Sequence, residues 1–344
     1  MKVQFSLGTG RDETINQIIT QTKLAERCGF SHITFVDQQN LSRDVYAMMT
    51  AAALNTSRIL IGQGVTVPYI RHPSVTANAT ATIHELSGGR AFLGIGSGGN
   101  ALRSMGMEAH PMKAYRDVVE FTKRFLAGKE AEFKGIKMRS EWINNSIPIY
   151  MAAIGPSSCR LAGELADGVI IGPGIHPELV KWRIEQIHRG AENAGRDPSQ
   201  IEIWVRTMIY ITENKQNAFM AASSYGNRGP YYLFKHKNPS TDDLFKRLNS
   251  KIPDLEGLIS EFKKFFYSYD DYQHELPNSP HSKLVTQRMI DFVHLVGNPE
   301  EIQQKIEELV LLGVTNISTV LFTIRNKMEM MKEISKSIMP VFRS

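Results

Sequence analysis

The sequence predicts an α/β fold, a (β/α)8 TIM barrel, on three observations. Eight short apolar runs, most of them rich in β-branched residues, have the length of buried parallel strands. Segments with helical periodicity alternate with these runs, a pattern typical of parallel sheets. The chain has 344 residues, and its excess over a typical barrel of about 250 residues falls mainly in one long, mostly helical insertion between strands seven and eight. A doubly wound open sheet is less favoured, because eight units occur and no GxGxxG motif opens a helix after the first strand.

The first half of the chain contains four strand and helix pairs. Strands are predicted over 3–7, 32–36, 59–67 and 91–95. Helices are predicted over 12–28, 45–54, 73–86 and 111–126. The first helix has apolar residues at helical spacing and ends at Gly29, and the fourth begins with proline, which is favoured in a first turn.

The second half continues the pattern with one interruption. Strands are predicted over 147–151, 168–171, 201–211 and 315–321, and helices over 157–165, 177–194, 300–311 and 326–338. Residues 212–296 break the alternation, being mostly helical in pattern, with aromatic clusters and interruptions by proline. The prediction is therefore a single barrel domain over 1–344 with a helical insertion over 212–296 inside it.

Composition excludes several classes of function. Lys and Arg exceed Asp and Glu by only 40 to 35, without a basic run of five, which disfavours nucleic-acid binding. No run of 18 apolar residues and no leader pattern occurs, so we expect no membrane span and a cytoplasmic enzyme acting on a small molecule. Two cysteines, Cys28 and Cys159, lack metal-ligand spacing, so we expect reduced thiols and no metal site.

The carboxyl ends of the predicted strands are rich in glycine and poor in catalytic side chains. A barrel places its active site at these ends, yet they carry no metal-ligand cluster, no Ser/His/Asp arrangement and no carboxylate pair. Such a site suits chemistry carried by a cofactor. Asp37 ends strand two as a candidate site residue, with a helix cap or loop salt bridge as the alternative. Arg206 ends strand seven, and a structural ion pair is a slightly better interpretation of it than binding of a phosphate or an acidic substrate. His72 has two interpretations, a group that transfers protons near the ligand or a cap of the third helix.

Two glycine-containing loops lead into helices and are candidate phosphate sites. Residues 153–158 lead into the helix over 157–165, and residues 172–177 lead into the helix over 177–194. Unpaired backbone N–H groups and the helix dipole favour an anion at such points. Ordinary left-handed turns explain the spacing about equally well.

Several stretches resemble the bacterial luciferase-like superfamily. They are GVTVPYIRHP at 64–73, ELSGGR at 85–90, LGIGSG at 93–98, AAIGP at 152–156, LAGELADG at 161–168 and VGNPEE at 296–301. The chain is similar in particular to the coenzyme F-420 (8-hydroxy-5-deazaflavin)-dependent branch, which includes methylenetetrahydromethanopterin reductase. The likeness spans nearly the whole chain.

This resemblance implies a hydride-transfer oxidoreductase that uses coenzyme F-420 and forms a homodimer or larger homo-oligomer. Gly64 and Val65 match a bulge behind the reactive ring, commonly with a non-proline cis peptide. Asp37 matches an acidic residue near the ring and is the catalytic candidate, tuning the charge of the ring or relaying a proton. The other implied cofactor contacts are Gly96, Ser97 and Gly98 along the ribityl chain, and Ala153, Ile154, Gly155, Pro156, Gly172, Pro173 and Gly174 at the phosphate.

The sequence also departs from the pattern of the family in two places. Asp37 is followed by Gln38 where dehydrogenases that oxidise a hydroxyl carry a histidine base. Residues 4–7, QFSL, lack the glutamate that the methanopterin reductases carry in strand one. An FMN-dependent monooxygenase of the same superfamily is therefore kept as the alternative, and a non-catalytic flavin-binding or deazaflavin-binding protein as a more remote one.

Overall fold

A computed structural model describes residues 2–108, 110–143, 146–222, 226–235, 239–273, 279–321 and 326–343. The strands are β1 (Gln4–Gly8), β2 (His32–Phe35), β3 (Leu60–Gln63), β4 (Ala91–Ile95), β5 (Ala131–Phe133), β6 (Ile136–Met138), β7 (Ile149–Ala153), β8 (Gly168–Ile171), β9 (Glu202–Thr207), β10 (Ile209–Ile211), β11 (Leu295–Gly297) and β12 (Asn316–Val320).

Helices surround these strands. They are α1 (Ile15–Cys28), α2 (Val45–Leu54), α3 (Pro73–Leu86), α4 (Asn100–Ser104), α5 (Met112–Leu126), α6 (Pro156–Leu165), α7 (Pro177–Asn193), α8 (Lys215–Ala222), α9 (Gly229–Phe234), α10 (Asp242–Asn249), α11 (Leu255–Tyr267), α12 (Gln287–Val293), α13 (Pro299–Leu311) and α14 (Lys327–Glu333). Short 3₁₀ turns cover Pro198–Gln200, Asp271–Gln273, Pro280–Leu284 and Met339–Phe342, and a π-helical turn covers Ile334–Ile338. None of the described helices is long and apolar enough to cross a membrane.

Eight parallel strands close into a barrel in the order β1-β12-β9-β8-β7-β4-β3-β2. The chain closes on itself where β1 pairs with β12, Gln4 lying opposite Asn316 and Gly8 opposite Val320. Described helices α8 to α12 occupy much of the interval between β10 and β11. The predicted TIM barrel with a mostly helical insertion is confirmed, whereas the limits of the domain and of the insertion stay predictions.

Two predicted strands are shorter than the sequence suggests. The run over 201–211 divides into β9 and β10, and β10 leaves the barrel to pair with β11, with Ile209 opposite Leu295. A side-chain contact accompanies this division, because the N–H of Ile209 donates to Thr319 Oγ1 at 3.0 Å. The run predicted over 59–67 ends as a strand at Gln63, where a bulge begins.

Aromatic side chains fill the lower half of the barrel interior. The rings of His32, Phe92, Tyr150 and Trp204 contact one another, with the His32 and Trp204 centroids 4.5 Å apart. Because side chains alternate between the two faces of a strand, the residues further along each strand point into the upper half. These residues are small on most strands, and Thr34, Gly64, Gly96, Ala152 and Gly172 are examples. A floor of rings beneath a layer of small residues leaves space at the barrel mouth.

Candidate functional site

A cavity of about 400 Å³ lies at the carboxyl ends of the barrel strands. The described residues that line it are Val36, Asp37, Gln38, Gly64, Val65, Val67, Gly96, Ser97, Gly98, Gly99, Ala101, Ala152, Ile154 and Ser158. The cavity therefore brings together the predicted site residues Asp37, Gly64, Val65, Gly96, Ser97, Gly98 and Ile154. It does not include the predicted Ala153, Gly155, Pro156, Gly172, Pro173 and Gly174.

A backbone bulge forms one wall of this cavity. The peptide between Gly64 and Val65 is cis, as the resemblance implies. Hydrogen bonds tie the bulge to β4, because the N–H of Thr66 donates to Gly94 O at 2.8 Å and the N–H of Gly96 donates to Thr66 O at 2.9 Å. The Val65 side chain packs on the aromatic cluster below. A Cβ at Gly96 would lie 2.7 Å from Val65 Cγ2, so glycine at 96 makes room for that side chain.

Arg206, at the end of β9, extends beneath the same bulge. A Cβ at Gly8 would lie 2.9 Å from Arg206 Nη2, and a Cβ at Gly64 would lie 3.0 Å from Arg206 Nη1. The guanidinium therefore spans the upper barrel from β1 towards the bulge. Its charge lies under the mouth, next to the backbones of Gly8 and Gly64.

Asp37 lines the cavity, but protein groups occupy both of its carboxylate oxygens. Arg71 binds it as a fork, with Nη1 2.6 Å from Oδ2 and Nη2 3.2 Å from Oδ1. The Thr66 hydroxyl donates to Oδ2 at 2.5 Å, and the Gln39 amide donates to Oδ1 at 2.6 Å. The Asp37 side chain is only 1% exposed. Four charge-assisted contacts suit an electrostatic or positioning role better than a proton relay, and a catalytic role for Asp37 stays a prediction.

Arg71 separates the mouth from a second cavity of about 740 Å³. Burial alone would lower the pKa of Arg71, but the hydrogen bonds and charge of Asp37 raise it above its ordinary value. The second cavity contains the Tyr69 ring stacked on His110 at a centroid distance of 3.6 Å. His72, at its edge, accepts a hydrogen bond from the N–H of Ser74 at 3.2 Å and caps α3. The geometry therefore favours the cap over the proton group for His72.

The two predicted phosphate loops are partly capped by their own side chains. Ser158 Oγ accepts hydrogen bonds from the N–H groups of Ile154 and Gly155, each at 3.2 Å. His176 Nδ1 accepts one from the N–H of Glu178 at 3.3 Å at the start of α7. At the start of α6, Pro156 has no N–H, so the amides of Ser157 and Ser158 remain for an anion. Fewer backbone donors are available than the sequence suggests.

Arg183 joins the two loops from behind, a role that the sequence analysis missed. Its Nε donates to Ile154 O at 3.2 Å, and its Nη1 donates to Pro173 O at 3.1 Å. The residue is 0% exposed. A signal was available in the sequence, because Arg183 follows Leu179 by four residues and precedes Ile187 by four, which places it on the apolar face of α7.

The residues at the mouth fit a ring-and-phosphate cofactor. The amide Nε2 of Gln38 is buried at the cavity and has no hydrogen-bond partner among the described residues. A Cβ at Gly99 would meet no atom within 4 Å, and a Cβ at Gly155 would meet only Leu233, at 3.9 Å. Open space over these backbones and an unpaired amide at the wall are what a bound polar ring and its tail would use.

Comparison with known proteins agrees with this geometry. A family model described as luciferase-like monooxygenase matches residues 1–316. A 5,10-methylenetetrahydromethanopterin reductase from Methanolobus tindarius is 31% identical over 339 residues, which are 95% of this chain and 96% of that protein. A reductase of the same name from Archaeoglobus fulgidus is 32% identical over 307 residues, which are 86% of each chain.

A solved structure gives the same result for the fold. The coenzyme F-420-dependent tetrahydromethanopterin reductase from Methanopyrus kandleri superposes with a TM-score of 0.79 at 27% identity. The match covers 99% of this chain and 100% of that one.

Proposed function

Because the chain belongs to the luciferase-like monooxygenase family, we propose that it is an oxidoreductase that transfers a hydride between coenzyme F-420 and a small organic substrate. The relatives support the deazaflavin over FMN, since a solved structure that superposes with a TM-score of 0.79 at 27% identity is of an F-420-dependent enzyme.

One observation about the cavity carries the proposal. Of the described residues that line it, Asp37 alone is ionisable, and its carboxylate is held by Arg71, Thr66 and Gln39. A cavity lined by glycine and small apolar groups offers orientation and exclusion of water rather than acid–base chemistry. When bound, the deazaflavin supplies the chemistry, as a carrier of a hydride at C5.

The protein groups that would hold the cofactor are those that the resemblance implies, and about half of them line the cavity. Gly64 and Val65 would form the wall behind the ring, and Gly96, Ser97 and Gly98 would follow the ribityl chain. The predicted phosphate contacts are Ala153, Ile154, Gly155, Pro156, Gly172, Pro173 and Gly174. The Asp37 and Arg71 pair, which is bonded to Thr66 of the bulge, would fix the neighbouring part of the wall and set its charge.

The substrate named for the two reductases, methylenetetrahydromethanopterin, is the first candidate for this chain. In strand one the Ser6 hydroxyl donates to Asn316 Oδ1 at 2.9 Å inside the barrel, so this position carries no carboxyl to deliver a proton. We therefore expect the chain to differ from reductases with a glutamate there in its proton step rather than in its hydride step.

Assembly as a homodimer or larger homo-oligomer, and a place in the cytoplasm, belong to the same proposal and rest on the resemblance. Light scattering coupled to size-exclusion chromatography would give the molar mass of the protein in solution, to be compared with the 38.7 kDa of one chain. A mass of one chain at micromolar concentration would contradict the proposed assembly.

Binding and turnover test the activity. The purified protein is titrated with coenzyme F-420 and with FMN, and hydride transfer is then followed by the absorbance of the deazaflavin with methylenetetrahydromethanopterin and a panel of small substrates. We expect micromolar or tighter binding of the deazaflavin and turnover with at least one substrate. Binding of FMN alone with oxygen consumption would establish the monooxygenase instead, and binding without turnover would favour a carrier.

A pair of variants ties the activity to the cavity. Ala152→Phe places a ring in the cavity, where Ala152 lines the wall, and should abolish binding. Ile136→Phe adds the same ring on the β5–β6 hairpin, where Ile136 is 64% exposed, and should bind as the wild type does. Equal binding by both variants would place the cofactor elsewhere.

A further inference from the structure

Arg183 is a fully buried cation in the part of the chain that holds the two predicted phosphate loops. It lies on α7 with 0% exposure, and its two hydrogen-bond partners are the carbonyl oxygens of Ile154 and Pro173. The third nitrogen, Nη2, is buried without a partner among the described residues. One guanidinium therefore bridges the loop after β7 and the loop after β8.

The counter-charge for Arg183 does not come from the hydrogen bonds or ion pairs of the described residues. Burial lowers the pKa of Arg183 to about 10, which still leaves the group protonated at neutral pH. Its neighbour Cys159 is also fully buried, and burial raises the pKa of that thiol to about 12, so the thiol is neutral. Buried charges are costly unless they are paired, and a ligand that carries an anion would supply the pairing that the described residues do not.

We propose that Arg183 is the positioning residue of an anion site that takes a phosphate monoester or diester at the loops after β7 and β8. Its fork fixes the separation of Ile154 O and Pro173 O, and Ile154 belongs to the loop that leads into α6, which begins with Pro156, Ser157 and Ser158. The charge and the helix N-terminus then act on the same anion. In the proposed function, on which this inference rests, that anion is the phosphate of the cofactor.

Arg196 provides a matched control. It also donates to two carbonyl oxygens, those of Gly163 and Ala166, at 2.7 Å each. These carbonyls lie at the other end of α6, away from the loops. A purely structural function of a bridging arginine would therefore be shared by Arg183 and Arg196, whereas the effect on an anion belongs to Arg183 alone.

The experiment compares ligands with and without a phosphate in the full chain. Affinities for coenzyme F-420 and for the unphosphorylated 8-hydroxy-5-deazariboflavin are measured by fluorescence titration for the wild type, Arg183→Met, Arg183→Lys and Arg196→Met. We expect Arg183→Met to weaken binding of the phosphorylated ligand about tenfold or more and binding of the unphosphorylated one less than about twofold. Arg183→Lys, which keeps the charge but bridges only one carbonyl, should be intermediate, and Arg196→Met should keep the preference of the wild type.

The outcomes separate this inference from the proposed function. Equal weakening of both ligands by Arg183→Met, or no weakening of either, would overturn the anion role. If the wild type binds neither deazaflavin, the proposed function fails, and the same comparison with FMN and riboflavin then decides the role of Arg183.

Inorganic phosphate gives a readout that needs no cofactor. It should raise the melting temperature of the wild type and of Arg196→Met more than that of Arg183→Met, and an equal rise in all three would also refute the proposal. If Arg183→Met does not fold, both the titrations and the melting experiment are made on Arg183→Lys. A wild-type ratio of the affinities for the phosphorylated and unphosphorylated ligands in that variant counts against the proposal.

Discussion

Gly96 is where the shape of the cavity can be tested most directly. A Cβ at this position would lie 2.7 Å from Val65 Cγ2 and 3.4 Å from Ala152 Cβ. Carbon atoms in contact prefer about 3.5–4.0 Å, so Val65 must move by about 1 Å, against the aromatic cluster on which it packs. Gly96→Ala should therefore cost about 1–3 kcal/mol of unfolding free energy, as overpacked cores do.

The cause of that loss can be isolated with a second substitution. Val65→Ala removes Cγ2, and the new methyl at position 96 would then meet Val65 Cβ at an ordinary 3.8 Å. Val65→Ala alone should cost about 1–2 kcal/mol through lost packing. The double variant should cost less than the sum of the two single variants by about 1 kcal/mol or more, because each change relieves the effect of the other.

Urea denaturation followed by circular dichroism measures the four proteins of this cycle, and a deazaflavin titration reports the cavity itself. Gly155→Ala is the control for the unfolding measurement alone, because its Cβ would meet only Leu233 at 3.9 Å and its φ of −99° suits alanine. We expect that control to change the unfolding free energy by less than about 0.5 kcal/mol. Additive losses in the cycle, within about 0.3–0.5 kcal/mol, would refute the assignment of the contact between Gly96 and Val65.

Three further predictions concern single side chains. Asp37→Asn cannot satisfy both arms of the Arg71 fork and should lower the unfolding free energy by about 1–3 kcal/mol in urea, whereas a loss below about 0.5 kcal/mol would contradict the buried pairing. Burial lowers the pKa of His32 to about 3, so between pH 6.5 and 3 the unfolded chain binds a proton that the folded chain does not. The unfolding free energy should therefore fall by about 2 kcal/mol from pH 7 to pH 5, and His32→Gln should remove most of that dependence on pH. The hydroxyl of Tyr69 is buried without a partner among the described residues, so Tyr69→Phe should leave the melting temperature unchanged or raised, and a fall of several degrees would reveal a missed hydrogen bond.

Local patterns in the sequence were enough to predict the barrel. Each barrel strand is a short apolar run. Helices α1 and α13 also begin with local capping boxes, Thr14 with Gln17 and Asn298 with Glu301, although the predicted start of the first helix at 12 overlooked the first of these. The break after β9 was missed because the contacts that accompany it are not local. The acceptor of the Ile209 N–H is Thr319 Oγ1, which lies 110 residues further along the chain.

The candidate site likewise has features that the local sequence predicts and features that depend on distant contacts. The glycines at the strand ends were visible in the sequence, since a cavity at the barrel mouth needs small residues at known positions. The state of Asp37 was not visible, because two of its partners, Thr66 and Arg71, lie 29 and 34 residues away. A charge at the end of a strand predicts a partner, but only the fold shows that the partner leaves the carboxylate fully engaged.

The distribution of charge around the cavity points to how this site works. Apart from Asp37, the described residues that line it are uncharged, and three cations lie one layer behind: Arg206 beneath the bulge, Arg71 behind Asp37, and Arg183 behind the loops. Charges in that layer act on a bound group through the field, which falls off slowly inside a protein of low dielectric constant, while the lining sets distance and angle. Changes of size in the lining should therefore alter both affinity and turnover, whereas changes of charge behind it should alter affinity for the anionic parts of the cofactor first.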